Sequence, residues 1–151
     1  MPKERKIRIR NAAAAEAALL RRGARFTHEL RVTDTYLKQP EGAVLKISEN
    51  ENGAFLVRLR KEGGTFIIES EKPISDAEKR ALLKKRTVRS ILKKRRRFFA
   101  FETYTININL IEGVGDFLVV EGESVPLSVF ADLGIKKPEF VTVPFDRLPR
   151  S

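Results

Sequence analysis

The chain has 151 residues and a formal net charge of +10, with 30 Lys and Arg against 20 Asp and Glu. That length suits one domain, residues 1–151, with a sizeable core, and the basic balance implies an anionic partner without choosing among nucleic acid, nucleotide, polyphosphate and membrane surface. There is no cysteine and one histidine, His28. Disulfides and thiolate metal sites are therefore excluded, histidine-rich sites are disfavoured, and any divalent metal would rest on carboxylates, which suits Mg²⁺ or Mn²⁺ better than Zn²⁺.

"KERKIRIR" (3–10) alternates, and as a strand it puts Glu4, Lys6, Arg8 and Arg10 on one face and Ile7 and Ile9 on the other. "NAAAAEAALLRRG" (11–23) predicts a helix capped by Asn11, with Arg21 and Arg22 in its last turn and Gly23 beyond its end. "ARFTHELRVTDTYL" (24–37) is extended, and Pro40 and Gly42 make a turn. "AVLKIS" (43–48) and "AFLVRLR" (54–60) predict strands around the polar loop "ENENG", and Gly63-Gly64 predicts a hairpin turn into "TFIIESE".

"SDAEKRALLKKR" (75–86) predicts a second helix, because Ser75 and Glu78 have capping-box spacing. Propensity alone would extend helix through "VRSILKKRRRFFAF". Its flanks, Thr87-Val88 and Phe98-Phe99, and the alternating "TYTININL" that follows predict instead a strand over Val88–Phe101 in a hairpin. "DFLVVEGE" is a further strand, "VPLSVFADLG" a short helix ending at Gly134, and the Pro-containing tail is irregular with one short strand. Many antiparallel strands with a few helices give an α+β class.

Alternation recurs: Arg58 and Arg60 oppose Val57 and Leu59, and Lys93, Arg95 and Arg97 oppose Lys94, Arg96 and Phe98. An ordinary sheet with one wet face explains this pattern, and so does a sheet closed on itself with charge turned inward. No apolar run approaches the ~20 residues of a membrane span, and the N-terminus lacks an apolar signal core, so an intracellular, cytoplasmic protein with no membrane partner is expected. Nothing in the sequence speaks to oligomeric state.

Several segments, in order, resemble the CYTH family of class IV adenylate cyclases and thiamine triphosphatases, the triphosphate tunnel metalloenzymes. "DTYLKQPEG" (34–42) resembles D-T-Y-F-D-x-P-x-G, "FLVRLR" resembles the A-L-R-I-R strand, and "ILKKRRRF" resembles V-x-K-x-R-x-x-Y with Phe98 in place of tyrosine. "ININLIEGVGDFLVVEGE" (106–123) resembles I-x-L-D-x-V-x-G-L-G-x-F-V-E-I-E, and "LGI" at Leu133 fits the family's late helix end. The resemblance implies a closed antiparallel β-barrel of roughly eight strands whose tunnel grips a triphosphate. It puts Arg8, Arg58, Arg60, Lys93 and Arg95, with Lys46 in addition, on phosphate. It puts Glu4 and Glu121 on metal, with Glu69, Glu71 and Glu123 as supporting carboxylates.

The chain also departs from that pattern. The family's opening E-x-E-x-K falls on Glu4, Lys6 and Arg8, so its middle glutamate is a lysine; the first glutamate of F-V-E-I-E is Val119, and the aspartate before the glycine turn is Asn109. Glu69 and Glu71 stand where threonine and lysine are usual, which raises the expectation of a polarity-reversed pair between Lys6 and Glu71. A lysine about 4 Å from a metal would cost roughly 4 kcal/mol at an effective dielectric of 20. Anion binding is thus expected to survive, and metal-dependent phosphohydrolysis or adenylate cyclase-like chemistry is opposed by Lys6. The expected ligand is a nucleoside triphosphate, thiamine triphosphate or inorganic tripolyphosphate, with Mg²⁺ or Mn²⁺ where a cation takes part. Two alternatives remain: a catalytically inactive nucleotide or polyphosphate-binding module, and RNA or DNA binding through the basic region Lys79–Arg97 with Phe98 and Phe99 adjacent. No residue is assigned a catalytic role, and His28 is read as a strand residue.

Overall fold

The computed structural model describes residues 1–150. In chain order the strands are β1 (Lys3–Ile9), β2 (Arg25–Leu37), β3 (Ala43–Asn50), β4 (Gly53–Glu62), β5 (Thr65–Ile74), β6 (Val88–Phe101), β7 (Tyr104–Ile111), β8 (Gly115–Gly122) and β9 (Glu139–Val141). The helices are α1 (Ala12–Arg21), α2 (Asp76–Lys85) and α3 (Ser128–Asp132), and a 3₁₀ turn covers Phe145–Arg147. Local chemistry sets the helix starts: the Asn11 side chain accepts from the Ala14 N–H, and Ser75 and Glu78 complete a reciprocal capping box. β6 is a strand despite its helix-favouring lysines and arginines, because β2 and β7 pair with it along almost its whole length.

The sheet order is β5-β4-β3-β2-β6-β7-β8-β1, and β1 returns to β5, closing an antiparallel barrel of eight strands. The closing seam is short, at Lys3 opposite Ile67 and Glu4 opposite Phe66. From Lys6 to Arg8 that edge of β1 is taken by β9 instead. The tail strand thus satisfies backbone groups that β5 leaves unpaired. Among the described residues, no helix is long and apolar enough to cross a membrane.

Apolar side chains lie on both faces of the barrel wall. Outside, α1 and α3 cover Ile7, Ile106, Ile108, Leu118 and Val120 with Leu19, Phe130 and Leu133. Also outside, α2 lays Leu82 against Leu37, Leu45, Ile47 and Leu56. Inside, Val44, Val57, Leu59, Phe66, Leu92, Ile111, Phe117 and Val119 form a third cluster with Phe145 from the tail. A strand covered on both faces carries no sequence mark for which parity points inward. Leu45→Ala, although outside the barrel, is expected to cost about 2–5 kcal/mol in urea unfolding, and Arg58→Ala to stay within about 0.5 kcal/mol.

Candidate functional site: a cationic barrel lumen

Register fixes which residues face the lumen. Lys6 lies opposite Val119, Asn107 opposite Val119 and Phe98, Arg96 opposite Asn109 and Leu30, Lys94 opposite Val32, Tyr36 opposite Lys46, and Lys46 opposite Val57. The lumen-facing side of β6 is therefore Ser90, Leu92, Lys94, Arg96 and Phe98. Lys93 and Arg95 are on the outer face, exposed, lining an outer groove of about 380 Å³ with Arg31 and Glu112. The expectation that they point inward is corrected by one residue. Five consecutive basic residues look alike in either parity, and the pairing of Leu92 with Asp34 decides it.

The same correction applies to Arg58 and Arg60. Val57 and Leu59 face inward as an apolar wall of β4, and Arg58 and Arg60 are exposed outside, with Arg60 paired to Glu62 and Glu69. Glu69 therefore also lies outside, and exposed Glu123 lies beyond the end of β8 near the N-terminal amine. Lys46 and Arg8 do face inward. Arg8 stacks over Phe117 at 4.9 Å and passes close to Gly115, whose φ of 141° and missing Cβ leave room for its guanidinium.

The centre of the lumen is built on Asp34, which is 1% exposed. Its Oδ2 accepts from Lys94 at 2.6 Å and from Lys46 at 2.9 Å, and Lys94 also donates to the Tyr36 hydroxyl at 3.1 Å. Burial alone would raise the Asp34 pKa, but the two ammonium groups overcome it and hold the carboxyl well below its usual range. Burial pushes Lys94 down to about 7, with Lys46 and Arg96 adding to the fall and Asp34 opposing it. Lys46 goes up, because Asp34 and Tyr36 outweigh its own burial.

Lys6, 3% exposed, forms no ion pair among the described residues; its ammonium sits 4.0 Å over the Phe66 ring and 4.1 Å over the Phe145 ring. Burial pushes its pKa down to about 8. The expected Lys6–Glu71 pair does not form. Glu71 is exposed on the lumen side of β5, and its charge acts on Glu121. Among the described residues, three buried side-chain atoms lack a hydrogen-bond partner: Asp34 Oδ1, Arg96 Nε and Asn107 Nδ2. All three belong to lumen-facing residues. The lumen itself keeps about 20 Å³, because Pro144 and Phe145 of the tail sit within it.

The acidic residues stand at one mouth. Glu4 and Glu121 are directly opposed across β1 and β8. Burial first, then Glu4 and Glu71, push the Glu121 pKa upward against the pull of Arg96. Among the described residues, no three carboxylate, histidine or cysteine groups gather in one place. Two opposed carboxylates fit a Mg²⁺ or Mn²⁺ that shares phosphate oxygens and water, not one caged by protein alone.

No family model matches the chain, and no curated protein does. Solved structures do. PH1012 from Pyrococcus horikoshii OT3 aligns over 99% of this chain and 100% of its own with 22% identity and a TM-score of 0.86. A conserved hypothetical protein from Pyrococcus furiosus aligns over 98% and 99%, with 22% identity and a TM-score of 0.84. HpAC1 from Hippeastrum, an adenylyl cyclase candidate with a dominant triphosphatase activity, aligns over 95% and 92%, with 13% identity and a TM-score of 0.64. The fold is shared. At these identities the likeness covers the barrel and not its contents.

From sequence alone Asp34, Tyr36 and Asn107 carry no assigned role, and Arg89, Lys94 and Arg96 figure only in the nucleic-acid alternative over Lys79–Arg97. Asp34 and Tyr36 were nonetheless inside the most recognisable motif, D-T-Y. Lys46 was readable because its strand alternates Val44, Lys46 and Ser48 against Leu45 and Ile47.

Two outcomes are expected. Asp34→Asn leaves two buried ammonium groups without a counter-charge and costs about 3–5 kcal/mol near neutral pH in urea unfolding. The depressed Lys94 and Lys6 values mean that the unfolded chain binds more protons between about 7 and the ordinary lysine value of 10.5. Stability of the ligand-free protein therefore rises as pH rises through that window and is lost as it falls, a slope that Lys94→Met should flatten.

Proposed function

We propose that the lumen binds the phosphate chain of a triphosphate-containing anion, and that this binding is the function of the fold in this protein. The observation that carries the reading is the set of unfilled donors among the described residues: Lys6 makes no ion pair and lies against two aromatic rings, and Arg96 Nε and Asn107 Nδ2 are buried without partners. Buried polar groups are ordinarily hydrogen-bonded, and an unpaired buried cation is costly, so a lumen left this way suits an anion. Lys6, Lys46, Lys94 and Arg96 then grip phosphate oxygens from three different strands, and Arg8 adds a fifth contact. The Hippeastrum protein's triphosphatase activity supports the ligand class through fold likeness.

Glu4 and Glu121 would hold a Mg²⁺ or Mn²⁺ that arrives with the phosphate, and that cation would neutralise phosphoryl charge when bound. Lys6, two residues along the same face, competes with it for the phosphate. Binding therefore stands ahead of hydrolysis here. A second reading rests on the outer groove, where Arg31 lies directly opposite Arg95 with Lys93 beside them. Like charges placed together there suit a nucleic-acid backbone, and a steep salt dependence of RNA or DNA binding would mark it.

Titration calorimetry with inorganic tripolyphosphate, with and without Mg²⁺ or Mn²⁺, tests the first reading alongside a phosphate-release assay. Lys94→Met or Arg96→Gln is expected to weaken binding by about tenfold or more, as befits a charged hydrogen bond. Arg58→Ala and Lys93→Ala should leave it unchanged. Affinity should fall as pH rises past about 7 to 8, where Lys94 and Lys6 lose their protons in the free protein. Equal losses from the inner and outer substitutions would refute the lumen site.

A further inference from the structure

We infer that Arg89 and Ser90 form an additional phosphate subsite at the barrel rim, at the start of β6, and that the chain's own Asp146 occupies it until an anion displaces the tail. The inference rests on the lumen reading above and adds residues that reading does not use.

Asp146 is held as a ligand would be. Arg89 Nε donates to its Oδ2 at 2.6 Å, Arg89 Nη2 to its Oδ1 at 2.8 Å, and Ser90 Oγ to its Oδ2 at 2.8 Å. The Asp146 side chain is fully shielded from solvent. A guanidinium fork that takes a carboxylate through two parallel hydrogen bonds takes a phosphate by the same geometry. Ser90 lies on the lumen-facing side of β6, in line with Lys94 and Arg96, and Asp146 is near enough to Lys6 for its charge to favour the protonated amine.

The neighbouring Phe145 completes the substitution. Its ring covers Lys6 at 4.1 Å and Lys94 at 4.9 Å, and packs on Phe117 at 4.7 Å. An aromatic face is a weak partner for a buried ammonium beside a charge-assisted hydrogen bond. With the tail in place, the remaining 20 Å³ holds about one water, so no phosphate chain enters unless Phe145 leaves.

The tail is built to leave. β9 anchors it through three residues on β1, but Thr142–Pro144 belong to no strand, and the segment beyond is a single 3₁₀ turn. A cleft of about 370 Å³ lies between Thr142, Val143, Pro144 and Arg147 on the tail and Gly42, Lys61 and Arg89 on the barrel rim. A shift there breaks no hydrogen bond between barrel strands and, among the described residues, releases only the side-chain bonds of Asp146 to Arg89 and Ser90 and of Arg150 to the Ile91 carbonyl.

The test uses the full chain. The protein has no tryptophan, so Phe145→Trp places a single reporter in the lumen. Adding inorganic tripolyphosphate should red-shift its emission saturably, with the same midpoint as calorimetry. Independently, Asp146→Asn should bind tripolyphosphate about tenfold more tightly than the native chain, because a charged competitor is removed. Adding Arg89→Gln to Asp146→Asn should abolish that gain. If the native chain binds but the reporter stays buried and Asp146→Asn is unchanged, the subsite is refuted and the lumen reading stands. Absence of binding in the native chain and in every variant refutes both. Should the tryptophan variant not fold, the Asp146→Asn and double-variant titrations decide alone.

Discussion

One carboxylate oxygen holds the centre of this barrel together. Asp34 on β2 takes both Lys46 from β3 and Lys94 from β6, tying three strands through one buried charge cluster. Taking such charges out of water is expensive, and the arrangement is tolerable only because each ammonium finds the same counter-ion. The cluster remains unbalanced even so. Among the described residues Lys6 and Arg96 face the same lumen without an ion pair, and Asp34 Oδ1 is itself unpartnered. A well-packed apolar interior would cost less, and this imbalance is what the proposed anion binding rests on.

The contents of the lumen follow from the way the wall is built. Helices cover two outer regions, which lets strands carry apolar residues outward without exposing them. Ile106 and Ile108 can therefore pack beneath α1 and α3, leaving Asn107 and Asn109 to face inward, where their side chains bond to each other. On β4 the arrangement is reversed: the apolar residues line the lumen and the arginines meet water. The interior is consequently two-sided, cationic along β1, β3 and β6 and apolar along β4. An apolar half lowers the local dielectric and strengthens every electrostatic interaction of the cationic half.

The tail belongs to this balance. β9 closes the gap in the β1 edge that β5 leaves, and the 3₁₀ turn after it delivers Phe145 and Asp146 inside the barrel. A ring over two ammonium groups and a carboxylate in a guanidinium fork shield the lumen's charges from their own repulsion. Closure of the fold and occupation of its cavity are thus performed by one short segment.

Much of the secondary structure was legible in the sequence. Asn11, Ser75 and Glu78 marked helix starts through local hydrogen bonds, glycines marked turns, and the pairing partner "TYTININL" marked "SILKKRRRF" as strand against its own propensity. The ordered motifs pointed to a closed barrel, and Glu4, Glu121, Arg8 and Lys46 do face its inside or its mouth. Parity was not legible for Arg58, Arg60, Lys93 and Arg95, because alternation is symmetric: it says which residues share a face and never which face is enclosed. Strand pairing around the closed circuit decided that. The tail was equally silent, since Phe145 and Asp146 lie more than fifty residues from Arg89 and Ser90 and far from Lys6 in sequence. Only closure of the barrel brings them together. Local chemistry therefore settled the elements, and long-range register, together with one inserted segment, settled the site.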